Sequence, residues 1–358
     1  MRFETYTLAE LATIKYGKNQ KKVQSPTGTI PIYGTGGLMG YASKALYDKP
    51  SVLIGRKGTI GKVKYVERPF WTVDTLFYTI VNTDIVLPRY LYYVMSLLDL
   101  NAYNEGTTIP SLRTETLNRL QFAIPPLDDQ AKILSVVLPL EYKIAVNDEI
   151  NKNLEQQAEI IFAEKFLSQD TLPIGWARTT IGNVSEMNAG GDKPEKVAKY
   201  RTTELRYPIY SNGISDEGLY GFTDEYKISV ESVTVSARGT IGFVCLRHIP
   251  YTPIVRLVTL VPNTKVVSAK YLYLWLKSIH IQGTGTTQQQ LTVPNFRKTE
   301  IIIPPEPDMR AFTEIVTPIF QKIWINQEEN ANLAQIRDTL LPKLLSGELD
   351  VSRLSGTV

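Results

Sequence analysis

The sequence, 358 residues long, predicts an α+β protein. It comprises two similar domains of mixed sheet and helix, joined by two long antiparallel helices in a coiled-coil-like pair, with a pseudo-two-fold internal repeat. Three observations predict this. A helical seam recurs at a fixed offset, the short motifs around it recur in the same order, and charge is partitioned into basic and acidic blocks.

The seam comes first. Ile133, Val137, Leu140, Ile144, Asn147, Asn151, Leu154, Ala158, Ile161 and Lys165 follow alternating steps of four and three, the spacing of a helix packed on another helix. Adding 179 to each number gives Phe312, Val316, Ile319, Ile323, Asn326, Asn330, Leu333, Arg337, Leu340 and Leu344. Both seams carry two asparagines at the same places, and Pro139 recurs as Pro318. The predicted helices run over 127–167 and 306–346. Each must bury its apolar stripe, and the other copy is the nearest partner. An antiparallel pairing sets Asn147 against Asn330 and Asn151 against Asn326, where seam amides penalise slipped registers. The alternative is that these asparagines are half exposed and merely tolerated. Each proline removes one backbone hydrogen bond, which predicts a kink or a short break near both.

The repeat extends beyond the helices. Phe3 to Gly17 matches Trp176 to Gly190 in pattern, and Ile30-Pro31-Ile32-Tyr33-Gly34 matches Tyr207-Pro208-Ile209-Tyr210-Ser211. Both run into glycine-rich turns, at 36–41 and 212–221. Ser51 to Ile54 and Ser232 to Val235 read as short strands, leading into Lys57-Gly58-Thr59-Ile60-Gly61 and Arg238-Gly239-Thr240-Ile241-Gly242. Arg89-Tyr90-Leu91-Tyr92 and Lys270-Tyr271-Leu272-Tyr273 each open an amphipathic helix. Gly106-Thr107-Thr108 matches Gly285-Thr286-Thr287, and Ile124-Pro125-Pro126 matches Ile303-Pro304-Pro305. Proline suits a first helical turn and disfavours helix in the residue before it. The domains are therefore drawn at 1–126, 127–170, 171–305 and 306–358, with a linker at 168–175.

Charge follows these blocks. Residues 1–126 hold 15 Lys+Arg and 9 Asp+Glu, and residues 171–305 hold 15 and 10. The helical stretch 127–170 holds 4 and 9, and the tail 306–358 holds 5 and 8. Basic blocks attract polyanions and acidic helices repel them, although excesses of this size also fit ordinary scatter. One cysteine, Cys245, excludes an internal disulfide and a cysteine-rich metal site and suits a reducing cytoplasm. The opening residues are not a signal peptide, and no apolar run approaches a membrane span.

Together the paired halves, the Arg/Lys-Gly-Thr-Ile-Gly turns, the Ile-Pro-Pro helix openings, Leu172-Pro173-x-Gly175-Trp176 and the ending Leu344-Leu345-Ser346-Gly347-Glu348-Leu349 resemble the specificity (S) subunit of type I restriction–modification systems. The resemblance spans almost the whole chain, and its force lies in the order of motifs, repeated twice. One departure is that the first half begins at Phe3 without the Leu-Pro-x-Gly-Trp opening. The resemblance implies two target-recognition domains, each reading one half of a split double-stranded DNA site. The helices would hold them apart and dock methyltransferase (M) subunits, two of them, with restriction (R) subunits joining through the complex. It also implies that methyl transfer with S-adenosylmethionine, and cleavage driven by ATP and Mg, belong to those partners. No cofactor would then be bound by this chain.

The residues themselves offer little chemistry. His248 and His280 stand alone, without cysteines or carboxylates at metal-ligand spacing. There is no Asn/Asp-Pro-Pro-aromatic turn of a methyltransferase and no G-x-x-x-x-G-K-S/T phosphate loop. Reading DNA instead needs side chains with paired donors and acceptors at base edges, plus cations and small polar groups at phosphates. Thr286, Thr287, Gln288, Gln289 and Gln290 form such a stretch, since glutamine bonds adenine in a bidentate way; a DNA contact is preferred there to a solvated loop. Thr107, Thr108, Ser111 and Arg113 stand at the matching place, and Arg297 completes the set. Arg56, Lys57 and Thr59, with Arg238 and Thr240, sit beside glycines that let backbone approach phosphate. Lys18, Lys21 and Lys22, and Lys193, Lys196 and Lys199, read as phosphate contacts. Tyr33, Trp71, Tyr210 and Tyr251 are assigned to cores. The expected function is a non-enzymatic DNA-recognition subunit with an asymmetric bipartite target. Its rivals are a protein–protein scaffold without DNA contact and, more weakly, a nuclease with an unrecognised site.

Overall fold

The computed structural model describes residues 1–168, 171–283 and 290–351. Two compact units divide the chain, Met1–Asn147 with Glu328–Val358, and Asp148–Gln327. The first unit runs β1 (Glu4–Thr7), α1 (Leu8–Leu11), β2 (Ala12–Tyr16), β3 (Ile30–Gly34), β4 (Gly37–Ala42), β5 (Ser51–Gly55), β6 (Val63–Val66), β7 (Trp71–Thr72), β8 (Leu76–Val81), α2 (Pro88–Ser96), α3 (Thr114–Asn118) and β9 (Gln121–Ile124), then enters α4 (Leu127–Phe166). Its strands form a sheet ordered β2-β8-β5-β6, a sheet ordered β4-β3-β7 and a β1-β9 ribbon. Every residue of β5 is buried, as a continuous apolar run in the middle of a sheet requires.

The second unit repeats this plan. It runs β10 (Ala177–Thr180), α5 (Ile181–Val184), β11 (Ser185–Ala189), β12 (Tyr207–Tyr210), β13 (Leu219–Thr223), β14 (Ser232–Val235), β15 (Val244–Arg247), β16 (Thr252–Pro253), β17 (Val258–Pro262), α6 (Ala269–Ser278), α7 (Val293–Phe296), β18 (Glu300–Ile303) and α8 (Glu306–Leu345). The sheets are β11-β17-β14-β15, β13-β12-β16 and β10-β18, strand for strand the order of the first unit. In both, one sheet contains a single parallel pair, β3 with β7 and β12 with β16.

The long helices are shared between the units. Ile133, Leu134 and Val137 of α4 and Leu341, Leu344 and Leu345 of α8 belong to the core of the first unit. Gln130 is fully buried there. Its amide accepts from the Leu87 N–H and donates to the Ile85 and Pro125 carbonyls, each at 2.8 Å, tying α4 to the loop before α2. In the second unit Phe162 and Phe166 of α4 and Phe312 of α8 enter the core with Tyr271 and Trp275, with Phe166 and Phe312 edge to face at 5.0 Å.

The helices are antiparallel. In the first unit Asn147 donates to the Asn330 side-chain carbonyl at 2.9 Å and to the Glu329 carboxylate at 2.8 Å. In the second, Asn326 donates to Asn151 at 2.8 Å. Every seam position from Ile133 to Lys165 and from Phe312 to Leu344 is buried or half-buried. Of the kink or short break expected near the prolines, the break is absent: α4 runs unbroken through Pro139 and α8 through Pro318. The carbonyls these prolines leave without a helical donor belong to Ser135 and Glu314, both exposed to solvent, and packing on either side keeps the helix intact.

Candidate nucleic-acid interface

In each unit, loops that are far apart in sequence meet. In the first, the Leu112 N–H donates to the Arg56 carbonyl at 3.0 Å and the Gly58 N–H to the Pro110 carbonyl at 2.9 Å, and Lys57 forms a β-bridge with Ser111. The turn 57–59 and the loop 104–111 are thereby one surface. Gly58 has φ +85°, a left-handed conformation that glycine adopts without strain. A Cβ at Gly58 would lie 4.0 Å from the Thr35 hydroxyl, which brings in the tip of the β3–β4 hairpin. Asn104 closes the third loop, its side-chain oxygen accepting from the Gly106 and Ser111 N–H groups, both at 2.9 Å. Lys57, Thr59, Thr107, Thr108 and Arg113 are exposed on this surface, and Arg56 and Ser111 are half-buried. Arg56 is positioned by a 2.9 Å bond to the Asp74 carbonyl and lies 4.9 Å over the Tyr16 ring. Arg113 pairs with Glu105 at 3.2 Å.

The second unit builds the same junction with other residues. The Leu291 N–H donates to the Ala237 carbonyl at 3.0 Å, the counterpart of Leu112 and Arg56. Asn212, in the turn after β12, accepts from the Ala237 N–H at 2.8 Å and joins the hairpin turn to the Arg238 turn. Gly239 has φ +72°, and Arg238 and Thr240 are exposed. Gln290 is half-buried beside Leu291; Thr286, Thr287, Gln288 and Gln289 lie outside the described residues. Arg297 follows α7 and donates to the Gly182 carbonyl at 3.2 Å, a contact that holds α7 against α5.

Both units also carry a basic loop along one hairpin strand. Lys18, Lys21 and Lys22 are exposed in the segment after β2, which is bonded to β4 through Ser25 N–H to the Tyr41 carbonyl and Ser43 N–H to the Val23 carbonyl, at 2.9 and 2.8 Å. Lys193, Lys196 and Lys199 are exposed in the matching segment, where Ala198 and Phe222 of β13 exchange backbone bonds of 2.9 and 2.8 Å. Lys196 is paired with Asp224 at 2.7 Å. Their hydrogen bond raises the lysine above its ordinary range and lowers the aspartate.

Two cations not singled out by sequence reasoning brace these hairpins. The Lys64 ammonium lies 4.1 Å over the Tyr33 ring, and burial lowers its pKa. Arg247, only 3% exposed, lies 3.6 Å over the Tyr210 ring and pairs with Glu217 at 3.0 Å. Tyr33 and Tyr210 are thus half-buried beneath cations, while Trp71 and Tyr251 are buried. Both cations lie in short strands, β6 and β15, where nothing local announces the tyrosine each one covers.

Comparison with known proteins follows the same halves. The sequence model described as "Type I restriction modification DNA specificity domain" matches residues 2–156 and again 173–335. The chain belongs to the type I restriction–modification DNA specificity family. It is similar to the Type I restriction enzyme MjaIX specificity subunit of Methanocaldococcus jannaschii, 26% identical, covering 87% of this chain and 80% of that protein. It is also similar to the Type I restriction enzyme HindI specificity subunit of Haemophilus influenzae, 24% identical, covering 87% of this chain and 89% of that one. Its fold matches the crystal structure of an S subunit of a type I restriction–modification system from M. genitalium, with a TM-score of 0.63, 18% identity and 96% of each chain covered.

Among the described residues no group of three or more His, Cys, Asp or Glu could hold a metal, and no helix is long and apolar enough to cross a membrane. His248 stacks on Trp324 with ring centroids 4.2 Å apart. A cavity of about 500 Å³ in the second unit is lined by Glu155, Glu217, Cys245, Tyr273 and Lys277. Three of its charged groups are engaged with protein partners: Lys277 bonds Glu155 at 2.9 Å and Glu217 bonds Arg247 and Gln327 at 3.0 and 3.1 Å. Burial pushes the Cys245 thiol up to about 12, so it is not a nucleophile near neutral pH.

Proposed function

We propose that this chain is the non-enzymatic DNA-recognition subunit of a type I restriction–modification complex in the cytoplasm, reading an asymmetric bipartite target with one half-site per unit. The observation that carries the reading is the duplicated loop junction. One backbone bond of the junction recurs, Leu112 to Arg56 in one unit and Leu291 to Ala237 in the other, whereas side chains at matching places differ: Arg56, Lys57 and Ser111 stand where Ala237, Arg238 and Gln290 stand in the second unit. Equal frames with unequal contents suit two different half-sites. Lysines along the hairpins supply sequence-independent attraction to phosphate, and the loop residues supply base contacts.

In this reading α4 and α8 act as the spacer between half-sites and as the docking site for two methyltransferase subunits. Methyl transfer from S-adenosylmethionine to adenine, and ATP- and Mg-dependent cleavage by restriction subunits, are the partners' work.

The test is an exchange of residues 176–302 for the matching block of a relative, followed by methylome sequencing of cells that also make the methyltransferase subunits. One half-site should change and the other persist; loss of both in an assembled hybrid overturns independent reading. The spacer role has its own test. Four residues inserted after Glu155 lengthen α4 by about 6 Å and keep the seam nearly in phase. The target should keep both half-sites with a spacer longer by about one or two base pairs; an unchanged spacer in an active complex overturns that role.

A further inference from the structure

The two hairpins share an irregularity that the reading above leaves unused. In β3–β4, Ile32 pairs with Gly40 and Tyr33 with Leu38, so Met39 has no partner. In β12–β13, Ile209 pairs with Gly221 and Tyr210 with Leu219, so Tyr220 has none. Each is the extra residue of a β-bulge at the equivalent position of the repeat. Bulges re-aim a side chain and recur beside functional sites. Here both re-aimed side chains are large and oily, and both remain in solvent: Met39 is 53% and Tyr220 48% exposed. Leu38 and Leu219 beside them are exposed as well.

The surroundings say what such a side chain would meet. The bulged strands are the ones to which the basic segments bearing Lys21, Lys22, Lys193 and Lys199 are hydrogen-bonded. The Lys193 ammonium lies 5.3 Å from the Tyr220 ring centroid. The hairpin tips adjoin the loop junctions through Thr35 and Asn212. A polyanion drawn to these lysines would bring its interior against the bulge. Phosphates have no use for a thioether or for the face of a phenol ring, but base faces do: apolar side chains wedge between base steps and aromatic ones stack on them. The chemistry common to methionine and tyrosine is a polarisable surface without a charge, which fits a base face rather than a specific base edge.

We propose that Met39 and Tyr220 are paired wedge residues, each pressing on a base step of its own half-site and distorting the duplex there. This rests on the reading that each unit binds DNA. The wedge adds recognition by deformability to recognition by hydrogen bonding.

The test uses the full chain assembled with its methyltransferase subunits and target duplexes carrying 2-aminopurine at successive positions of each half-site. Wild type should show a fluorescence rise at one step per half-site. Met39→Ala should abolish the rise in one half-site and Tyr220→Ala in the other, each weakening specific binding about tenfold. The slope of affinity against salt should not change, because no phosphate contact is lost. Tyr220→Phe and Met39→Leu should restore both signals, which a purely structural role in the hairpin does not require. If both alanine variants keep wild-type fluorescence and affinity while charge reversal at Lys21 and Lys22 weakens binding, DNA is bound but the wedge is wrong. If charge reversal and salt are also without effect, the DNA reading falls and the wedge with it. If the alanine variants fail to co-elute with the methyltransferase subunits in the absence of DNA, the bulges belong to a protein contact and the proposal is overturned.

Discussion

The two units share the same strand order and hold the long helices with different chemistry. The first grips α4 and α8 with aliphatic residues, Ile133, Leu134 and Val137 against Leu341, Leu344 and Leu345. The second uses a cluster of aromatic rings, Phe162, Phe166, Tyr271, Trp275 and Phe312. The same substitution freedom appears over the hairpin tyrosines, where a lysine from β6 in one unit is replaced by an arginine from β15, two positions further along its strand, in the other. What is common is the pattern of burial and the backbone junctions; what fills them is interchangeable. A core asks for apolar volume in register, and many sets of side chains supply it.

The largest test of this comparison is at the helix grips. Phe162→Ala removes a fully buried ring that touches four other aromatics and should cost about 3–5 kcal/mol. Ile133→Val, a one-methylene change at an equally buried position of the aliphatic grip, should cost about 0.5–1.5 kcal/mol. Denaturant unfolding measures both; a Phe162→Ala loss no greater than that of Ile133→Val would show that the aromatic cluster does not anchor α4.

The asparagine pairs give the next effect. Asn147 serves two acceptors, whereas Asn326 serves Asn151. Both asparagines are buried, so replacing either with alanine strands a polar partner at about 1–3 kcal/mol, and the Asn147 variant should be the worse of the two. Replacing Asn151 and Asn326 together with leucine should recover most of the loss, since no unpaired amide then remains. A double-mutant cycle reads this coupling directly, and additive losses would mean that the amides do not depend on each other.

The smallest effect separates the two basic loops. Lys196 is held by Asp224, whereas Lys21 in the first unit is positioned through its backbone N–H, which donates to the Asn19 side-chain oxygen at 2.9 Å. Asp224→Asn should release Lys196 for phosphate and tighten DNA binding at low salt, by no more than about fivefold because an exposed pair is weak. The gain should vanish at high salt. Weaker binding of the variant would show that the pair orients Lys196 for DNA rather than restraining it.

The helix pair was legible in the residues because its information is periodic and duplicated. The four-three spacing places one face inward, and the repeated asparagines allow one antiparallel register, in which Asn147 meets Asn330 and Asn326 meets Asn151. The short strands, the helix openings and the paired domains were readable for the same reason. The unbroken passage through Pro139 and Pro318 was not, because proline's local cost is outweighed by packing on either side.

The loop junctions were decided only in three dimensions. Arg56, Lys57, Ser111 and Arg113 could be picked as polar residues near glycines, but their meeting depends on the β-bridge of Lys57 with Ser111 and on Asn104 closing its loop. Lys64 and Arg247 acquire their positions from tyrosines on another sheet, and the bulges at Met39 and Tyr220 exist only as a mismatch between two paired strands. Periodic burial is written along a single element and can be read from it. Contacts between distant loops are set by sheet order and register, which the chain settles only when it folds.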